Sequence, residues 1–128
     1  TPMDVVVGGD VGKREVLLSH VGSTDRILDV GPRTIEQLAP YIKDAKTILW
    51  NGPLGNYEGG FDEATKECAR LIAESEAFSI VGGGDTVTAI ESLKLEGSFG
   101  FLSTAGGAML EFLEKQTLPG IDALPKLD

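Results

Sequence analysis

From Thr47 onward the chain alternates short apolar runs with amphipathic stretches, joined by connections of a few residues. "TILWNG" (47–52), "FSIVG" (78–82) and "FGFLS" (99–103) have the β-branched and aromatic character of strands. Residues 61–76, 85–94 and 106–115 carry apolar residues at helical spacing. Phe61, Ala64, Cys68, Leu71 and Ile72 share one side of the first, and Met109, Phe112 and Leu113 one side of the last. Such alternation predicts βαβ units: a parallel sheet with helices packed on its faces. The expectation is an α/β chain with a Rossmann-like parallel sheet and flanking helices, a three-layer αβα arrangement forming part of a domain.

The first third of the chain is less regular. "DVVVG" (4–8) reads as a short buried strand broken by Gly8-Gly9, residues 13–21 as a second strand, and "RILDVGP" (26–32) as a third that Gly31-Pro32 ends. Thr34 with Gln37 three residues on has the form of a capping box. Ile35, Leu38, Ala39 and Ile42 then line one helical face. The tail "LPGIDALPKLD" is loop-like, with Pro119 and Pro125. There is no internal linker, low-complexity run or repeat beyond the βα alternation. The chain opens Thr1-Pro2 and runs almost at once into a strand, which suggests a piece of a longer polypeptide.

Bulk composition narrows the function. The 128 residues suffice for one compact unit with a core, and the net charge is −9. Such acidity disfavours a nucleic-acid groove, which needs a basic footprint, and docking on an anionic membrane surface. It leaves small anionic ligands open, because backbone amides bind phosphate without any Lys or Arg. No apolar run is long enough to span a bilayer, and the start lacks a signal-peptide pattern. Cys68 is the only cysteine, so no internal disulfide forms and a cytoplasmic setting fits best.

Glycine supplies 17 of the 128 residues, roughly twice the usual ~7%. The glycines gather in three polar turns, "WNGPLG", "GGGDT" and "STAGGA", each just past the end of a strand. In an open parallel sheet those carboxyl ends share one edge, where ligands bind. In "GGGDT" the glycines allow close backbone approach, and the helix that follows offers free amides and a positive dipole end. Taken locally, Asp85 reads either as a helix cap or as a carboxylate holding Mg2+ against a phosphate. "STAGGA" reads as a tight strand–helix junction or as a second phosphate turn, with hydroxyls on Ser103 and Thr104 and amides from Gly106 and Gly107. In "WNGPLGNYE", Pro53 stiffens the loop, Asn51 presents an amide at the strand end, and Glu58 is either a solvated carboxylate or a partner for a ribose diol.

Other familiar sites do not fit. GxxxxGK[ST] and GxGxxG are both absent. His20 is the only histidine, which argues against a Ser–His triad or a multi-histidine metal site and favours a surface or strand residue. Cys68 and Trp50 read as core. Glu63, Glu67, Glu74 and Glu76 read as a solvated helix face.

Taken in series, "WNGPLGNYE", "VGGGDT", "STAGGAMLEFLE" and "LPGIDAL", preceded by "DVVVG" and "LDVGPRTIE", resemble the C-terminal signatures of the phosphoglycerate kinase family. The resemblance covers nearly the whole chain but only the C-terminal portion of that family's nucleotide-binding domain. The N-terminal substrate domain and the first half of the C-terminal domain would lie outside residues 1–128. The resemblance implies reversible phosphoryl transfer between 1,3-bisphosphoglycerate and ADP, giving 3-phosphoglycerate and MgATP, by a monomeric parent enzyme. It implies that Asp85 is the Mg2+ ligand and that Gly83, Gly84 and Thr86 contact phosphate. Asn51, Pro53 and Gly55 would line the nucleotide, and Glu58 would hold the ribose. Gly106 and Gly107, with Gly83 and Gly84, would face the transferring phosphoryl group. Ala105 departs from the family, which usually has a third glycine there, and the stretch Gly9–Val21 departs too.

The chemistry is consistent with a chain that has no catalytic histidine. The reacting carboxylate is ionised at neutral pH and needs no general base, so transfer runs on positioning and charge stabilisation. No Lys or Arg falls inside the three turns, so cations must come from the remainder of the parent chain. The 128 residues alone are therefore expected to be inactive. The alternative is a free-standing nucleotide-binding or scaffold module without catalysis. Missing neighbouring strands would leave a sheet edge and face open to self-association.

Overall fold

The computed structural model describes residues 1–9 and 12–124. Strand β1 (Asp4–Gly8) is followed by β2 (Arg14–Leu17), β3 (Arg26–Val30) and helix α1 (Pro32–Asp44). Then β4 (Thr47–Asn51), α2 (Glu63–Ala73), β5 (Phe78–Gly82) and α3 (Gly84–Ser92) alternate, ending with β6 (Phe101–Ser103), α4 (Gly106–Lys115) and a short α5 (Pro119–Asp122). The strands form two sheets. β4, β5 and β6 lie parallel in chain order. β1 pairs antiparallel with β2 on one side and β3 on the other, a separate sheet that strand patterning did not foretell.

The core follows from alternation along the parallel strands. Trp50 and Val81 project to one face and join Cys68, Ala69 and Ile72 of α2 and Ile90 of α3 in a buried cluster. Burial pushes the Cys68 thiol up to about 11, so it stays protonated and inert. Gly82 faces the opposite side, where the Met109 side chain of α4 lies against it. Helices therefore flank both faces of the parallel sheet, as the α/β reading requires. The second face is only partly covered. Leu49, Phe78 and Phe101 are each more than half exposed, at 52%, 56% and 54%.

Several boundaries differ from the sequence reading. The second strand stops at Leu17 and gives way to a 3-10 turn, Leu18–His20, with His20 exposed. α2 starts two residues later than patterning suggests, leaving Phe61 outside the helix. A 3-10 turn at Glu96–Ser98 delays β6. The tail is not all loop, since Pro119 opens α5; residues 125–128 of that tail lie outside the described residues. The apolar stripe of α4 is only half used, with Phe112 and Leu113 remaining 40% and 44% exposed.

The capping box at Thr34 is also corrected. α1 begins at Pro32 after Gly31, so Thr34 sits inside the first turn. Its cap comes from Asp4, 30 residues away: the carboxylate accepts from the amides of Arg33 (3.1 Å) and Thr34 (2.8 Å) and from the Thr34 hydroxyl (2.7 Å). Burial alone would raise the Asp4 pKa, but these donors outweigh it and hold the carboxyl below its ordinary value.

Candidate functional site

The three glycine-rich turns meet at the carboxyl edge of the parallel sheet, because β4, β5 and β6 run side by side in register and end at Asn51, Gly82 and Ser103. Two backbone bonds extend the sheet into the turns. Gly52 donates its amide to the Gly82 carbonyl (3.2 Å), and Gly83 donates to the Ser103 carbonyl (2.9 Å). Gly83 holds φ at +101°, which a side chain would resist. That conformation turns the chain sharply from β5 into α3.

Asn51 ties the turns together from below. A Cβ on either Gly82 or Gly106 would overlap the Asn51 Oδ1 atom. The Asn51 amide thus occupies the space left by two absent side chains, and α4 approaches the β5 turn backbone to backbone. At Gly106 a Cβ would also lie 2.7 Å from the Gly83 nitrogen. Gly84 and Gly107 differ: a Cβ on either would meet nothing within 4 Å. Their backbones face open space.

Two helix starts bracket this edge. In α3 the first helical bond runs from the Val87 amide to the Gly83 carbonyl, and in α4 from Met109 to Ala105. The amides of Gly84, Asp85 and Thr86, and of Gly106, Gly107 and Ala108, have no acceptor among the described residues. Asp85 is exposed in the first turn of α3 and makes no capping bond, so the cap reading is overturned: Gly83 occupies the cap position. The carboxylate is free to face solvent or a ligand. Thr86 is fully buried, and its Oγ1 has no hydrogen-bond partner among the described residues, which leaves an unsatisfied polar atom beneath the turn.

The loop after β4 is built separately. Leu54 donates its amide to the Thr65 hydroxyl of α2 (3.0 Å), and Asn56 donates to the Leu28 carbonyl of β3 (2.7 Å). Pro53 and Gly55 are half-buried within this frame. Glu58 is exposed on a 3-10 turn, Tyr57–Gly59, closed by the Asn56 side chain accepting from the Gly59 amide (3.2 Å). Glu63 and Glu67 are solvent-facing on α2; Glu74 and Glu76 are also exposed but lie past its end at Ala73, so the expected helix face covers only the first two.

The donor set fits one hard cation shared with a phosphate. Among the described residues no three His, Cys, Asp or Glu side chains cluster as a metal site. Mg2+ commonly takes one or two carboxylates and completes its shell with phosphate oxygens and water. Asp85, beside unpartnered amides, is the residue at this edge that could supply such a carboxylate. A groove of about 670 Å³ lies elsewhere, between the antiparallel sheet, α1 and α2, and includes none of the glycine turns. Its Lys66 and Arg70 are paired with Asp62 (2.7 Å) and Glu67 (2.8 Å).

Two buried carboxylates at functionally placed positions escaped sequence reading: Asp4 and Asp29. Each is an acidic residue next to the aliphatic run of a short strand, the one signal that marks them. Asp29 accepts from the Ala64 amide at the start of α2 (3.2 Å) and from the Val30 amide (2.9 Å). Burial outweighs these bonds and raises its pKa.

A family model described as phosphoglycerate kinase matches residues 1–116. The phosphoglycerate kinase of Francisella philomiragia subsp. philomiragia is 44% identical, across 96% of this chain and 33% of its own length. Two solved structures superpose closely. Phosphoglycerate kinase from Coxiella burnetii has a TM-score of 0.81 at 41% identity, over 94% of this chain and 33% of its own. The enzyme from Pyrococcus horikoshii OT3 has a TM-score of 0.81 at 34% identity, over 97% and 32%. The chain thus spans about a third of the length of the relatives it matches. Its glycine turns stand in a fold shared with these enzymes at over 30% identity, and the chain belongs to the phosphoglycerate kinase family.

Proposed function

We propose that these 128 residues form the C-terminal portion of the nucleotide-binding domain of a phosphoglycerate kinase, and that they carry the phosphate-binding wall of its active site. The observation that carries this is the pair of helix starts on one sheet edge. α3 and α4 present unpartnered amides, and Gly84 and Gly107 leave the approach to them open. Helix N-termini with free amides bind anions. In the parent enzyme the P–O bond to the acyl oxygen of 1,3-bisphosphoglycerate breaks as one forms to the terminal oxygen of ADP. No proton moves, so the protein's task is to orient and stabilise charge. The amides of Gly84, Gly106 and Gly107 serve the transferring group, and Thr86 serves the neighbouring phosphate. The expected Gly83 donor is corrected, since its amide is already bonded to the Ser103 carbonyl and its positive φ shapes the turn instead. Asn51, Pro53 and Gly55 line the nucleotide, and Glu58 takes the ribose hydroxyls. Asp85 would hold Mg2+, which when bound neutralises phosphate charge. The substrate domain and the first half of the nucleotide domain would supply the cations that the three turns lack. The protein acts in the cytoplasm, and no helix among the described residues is long and apolar enough to cross a membrane.

Calorimetry tests this reading. Residues 1–128 should bind MgADP weakly and give no ATP from 1,3-bisphosphoglycerate in a coupled assay. Asp85→Ala should remove the difference between MgADP and ADP with EDTA. Because Asp85 caps nothing, the substitution should change folding stability only by the lost dipole interaction, ~0.3–1 kcal/mol. Turnover by the isolated chain would overturn the inactivity, and an unchanged metal dependence would remove Asp85 from the metal role. Nucleotide binding with no catalysis from the full gene product would favour the scaffold reading.

A further inference from the structure

Asp29 lies outside all three glycine turns, yet it abuts the loop that carries Glu58. A Cβ on Gly55 would fall 2.5 Å from both the Asp29 Cγ and Oδ1 atoms and would also overlap the Phe61 carbonyl. The loop backbone therefore rests directly on this carboxylate. On its other side Asp29 caps α2 through the Ala64 amide (3.2 Å), and α2 in turn holds Leu54 through the Thr65 hydroxyl (3.0 Å). The residue before it, Leu28, accepts the Asn56 amide (2.7 Å). Consecutive loop residues 54, 55 and 56 are thus referenced to one buried carboxylate or its immediate partners. A carboxylate only 3% exposed is costly to bury, and an apolar residue would serve a core better. Its placement makes sense as the fixed point between β3, α2 and the loop.

We propose that Asp29 is a positioning residue for nucleotide recognition: it sets the place of the Gly55 backbone and, through it, of Glu58, while touching no ligand itself. The proposal rests on the reading that Glu58 takes the ribose. In that case Asp29 governs recognition of the nucleoside half of the ligand and leaves the phosphate turns of α3 and α4 untouched.

The experiment compares three probes on the polypeptide as its gene encodes it: MgADP, its 2′,3′-dideoxy analogue, and magnesium pyrophosphate. Wild type should prefer ADP over the dideoxy analogue by about tenfold, the size of a hydrogen-bonded charged contact. Asp29→Asn keeps the volume but loses one of the two acceptors. It should bring that preference close to one while leaving pyrophosphate affinity unchanged. Asp29→Ser withdraws the side chain from Gly55 while keeping a hydroxyl for the buried amides and should give the same signature, which decides the matter if Asp29→Asn fails to fold. A preserved preference in both variants overturns the proposal, as does a proportional loss of pyrophosphate binding, which marks a general stability role. Failure of both variants to fold overturns it for the same reason. A wild type that binds pyrophosphate but does not distinguish the two nucleotides overturns the Glu58 reading beneath it instead.

Discussion

Gly106→Ala should destabilise the chain, while Gly107→Ala, one residue on, should not. At position 106 the new methyl would overlap Asn51 Oδ1, lie 2.7 Å from the Gly83 nitrogen and 3.1 Å from the Gly82 carbonyl carbon. Asn51 can rotate away, but the Gly83 backbone cannot, since its amide is bonded to the Ser103 carbonyl at 2.9 Å and its φ is fixed at +101°. Comfortable carbon contacts lie near ~3.5–4 Å, so the start of α4 must retreat by about 1 Å. Overpacking of this kind costs ~1–3 kcal/mol. Alanine's helix preference over glycine offsets at most ~1 kcal/mol, and less at a first helical position. The net loss should be ~1–2 kcal/mol, a fall in melting temperature of roughly 3–10 °C. At position 107 a Cβ meets nothing within 4 Å, so only the helix preference acts, and stability should hold or rise by up to ~1 kcal/mol. Urea and thermal unfolding of the two variants measure the contrast. If Gly106→Ala is as stable as wild type, the close backbone approach of α4 to the β5 turn is wrong. A binding arm sharpens the comparison. The methyl at 107 projects into the open space assigned to phosphate, so Gly107→Ala should keep its stability and lose pyrophosphate affinity.

Other expectations follow from the same contacts. Asp4, held below its ordinary pKa of 3.8, contributes stability that is present above that value and lost as pH falls through its lower folded value. Asp29, raised by burial, works in the opposite sense, costing stability once it ionises, so protonating it on acidification favours the fold. Asp4→Asn should therefore flatten the acid limb of a urea-midpoint-against-pH curve and cost ~0.5–2 kcal/mol at neutral pH as a lost cap; an unchanged limb would show that Asp4 does not control it. Lys94 ends α3 with φ at +58° and donates its amide to the Glu91 carbonyl at 2.9 Å, a helix end that glycine suits better. Lys94→Gly should stabilise by ~0.5–1 kcal/mol in chemical unfolding, the reverse of the usual glycine penalty. The open face bearing Leu49, Phe78 and Phe101 should drive concentration-dependent self-association of residues 1–128 in sedimentation, and Leu49→Lys should reduce it; a strictly monomeric wild type would show the face to be harmless.

The chain's own periodicity determined much of this protein. The alternation from Thr47 onward specified β4, α2, β5, α3, β6 and α4 in order, because each short apolar run or amphipathic stretch carries its period locally. The glycine turns were legible for the same reason. Glycine just past an apolar run and before a helical pattern marks a strand end, and three strand ends in a parallel sheet share an edge. Tertiary structure decided what depends on distant partners. The first three strands could have extended the parallel sheet, and only pairing of β1 with both neighbours made them antiparallel. Thr34 looked like a cap because its local pattern fits one, but Asp4 reaches across 30 residues to take that role. Asp29 caps α2 from 35 residues away. A hydrogen bond between residues so far apart leaves no periodic trace in sequence, since either partner alone is an ordinary aspartate or amide. Asp85 shows the converse. Its sequence fits a cap equally well, and only the fold, by seating Gly83 at that position, left its carboxylate free.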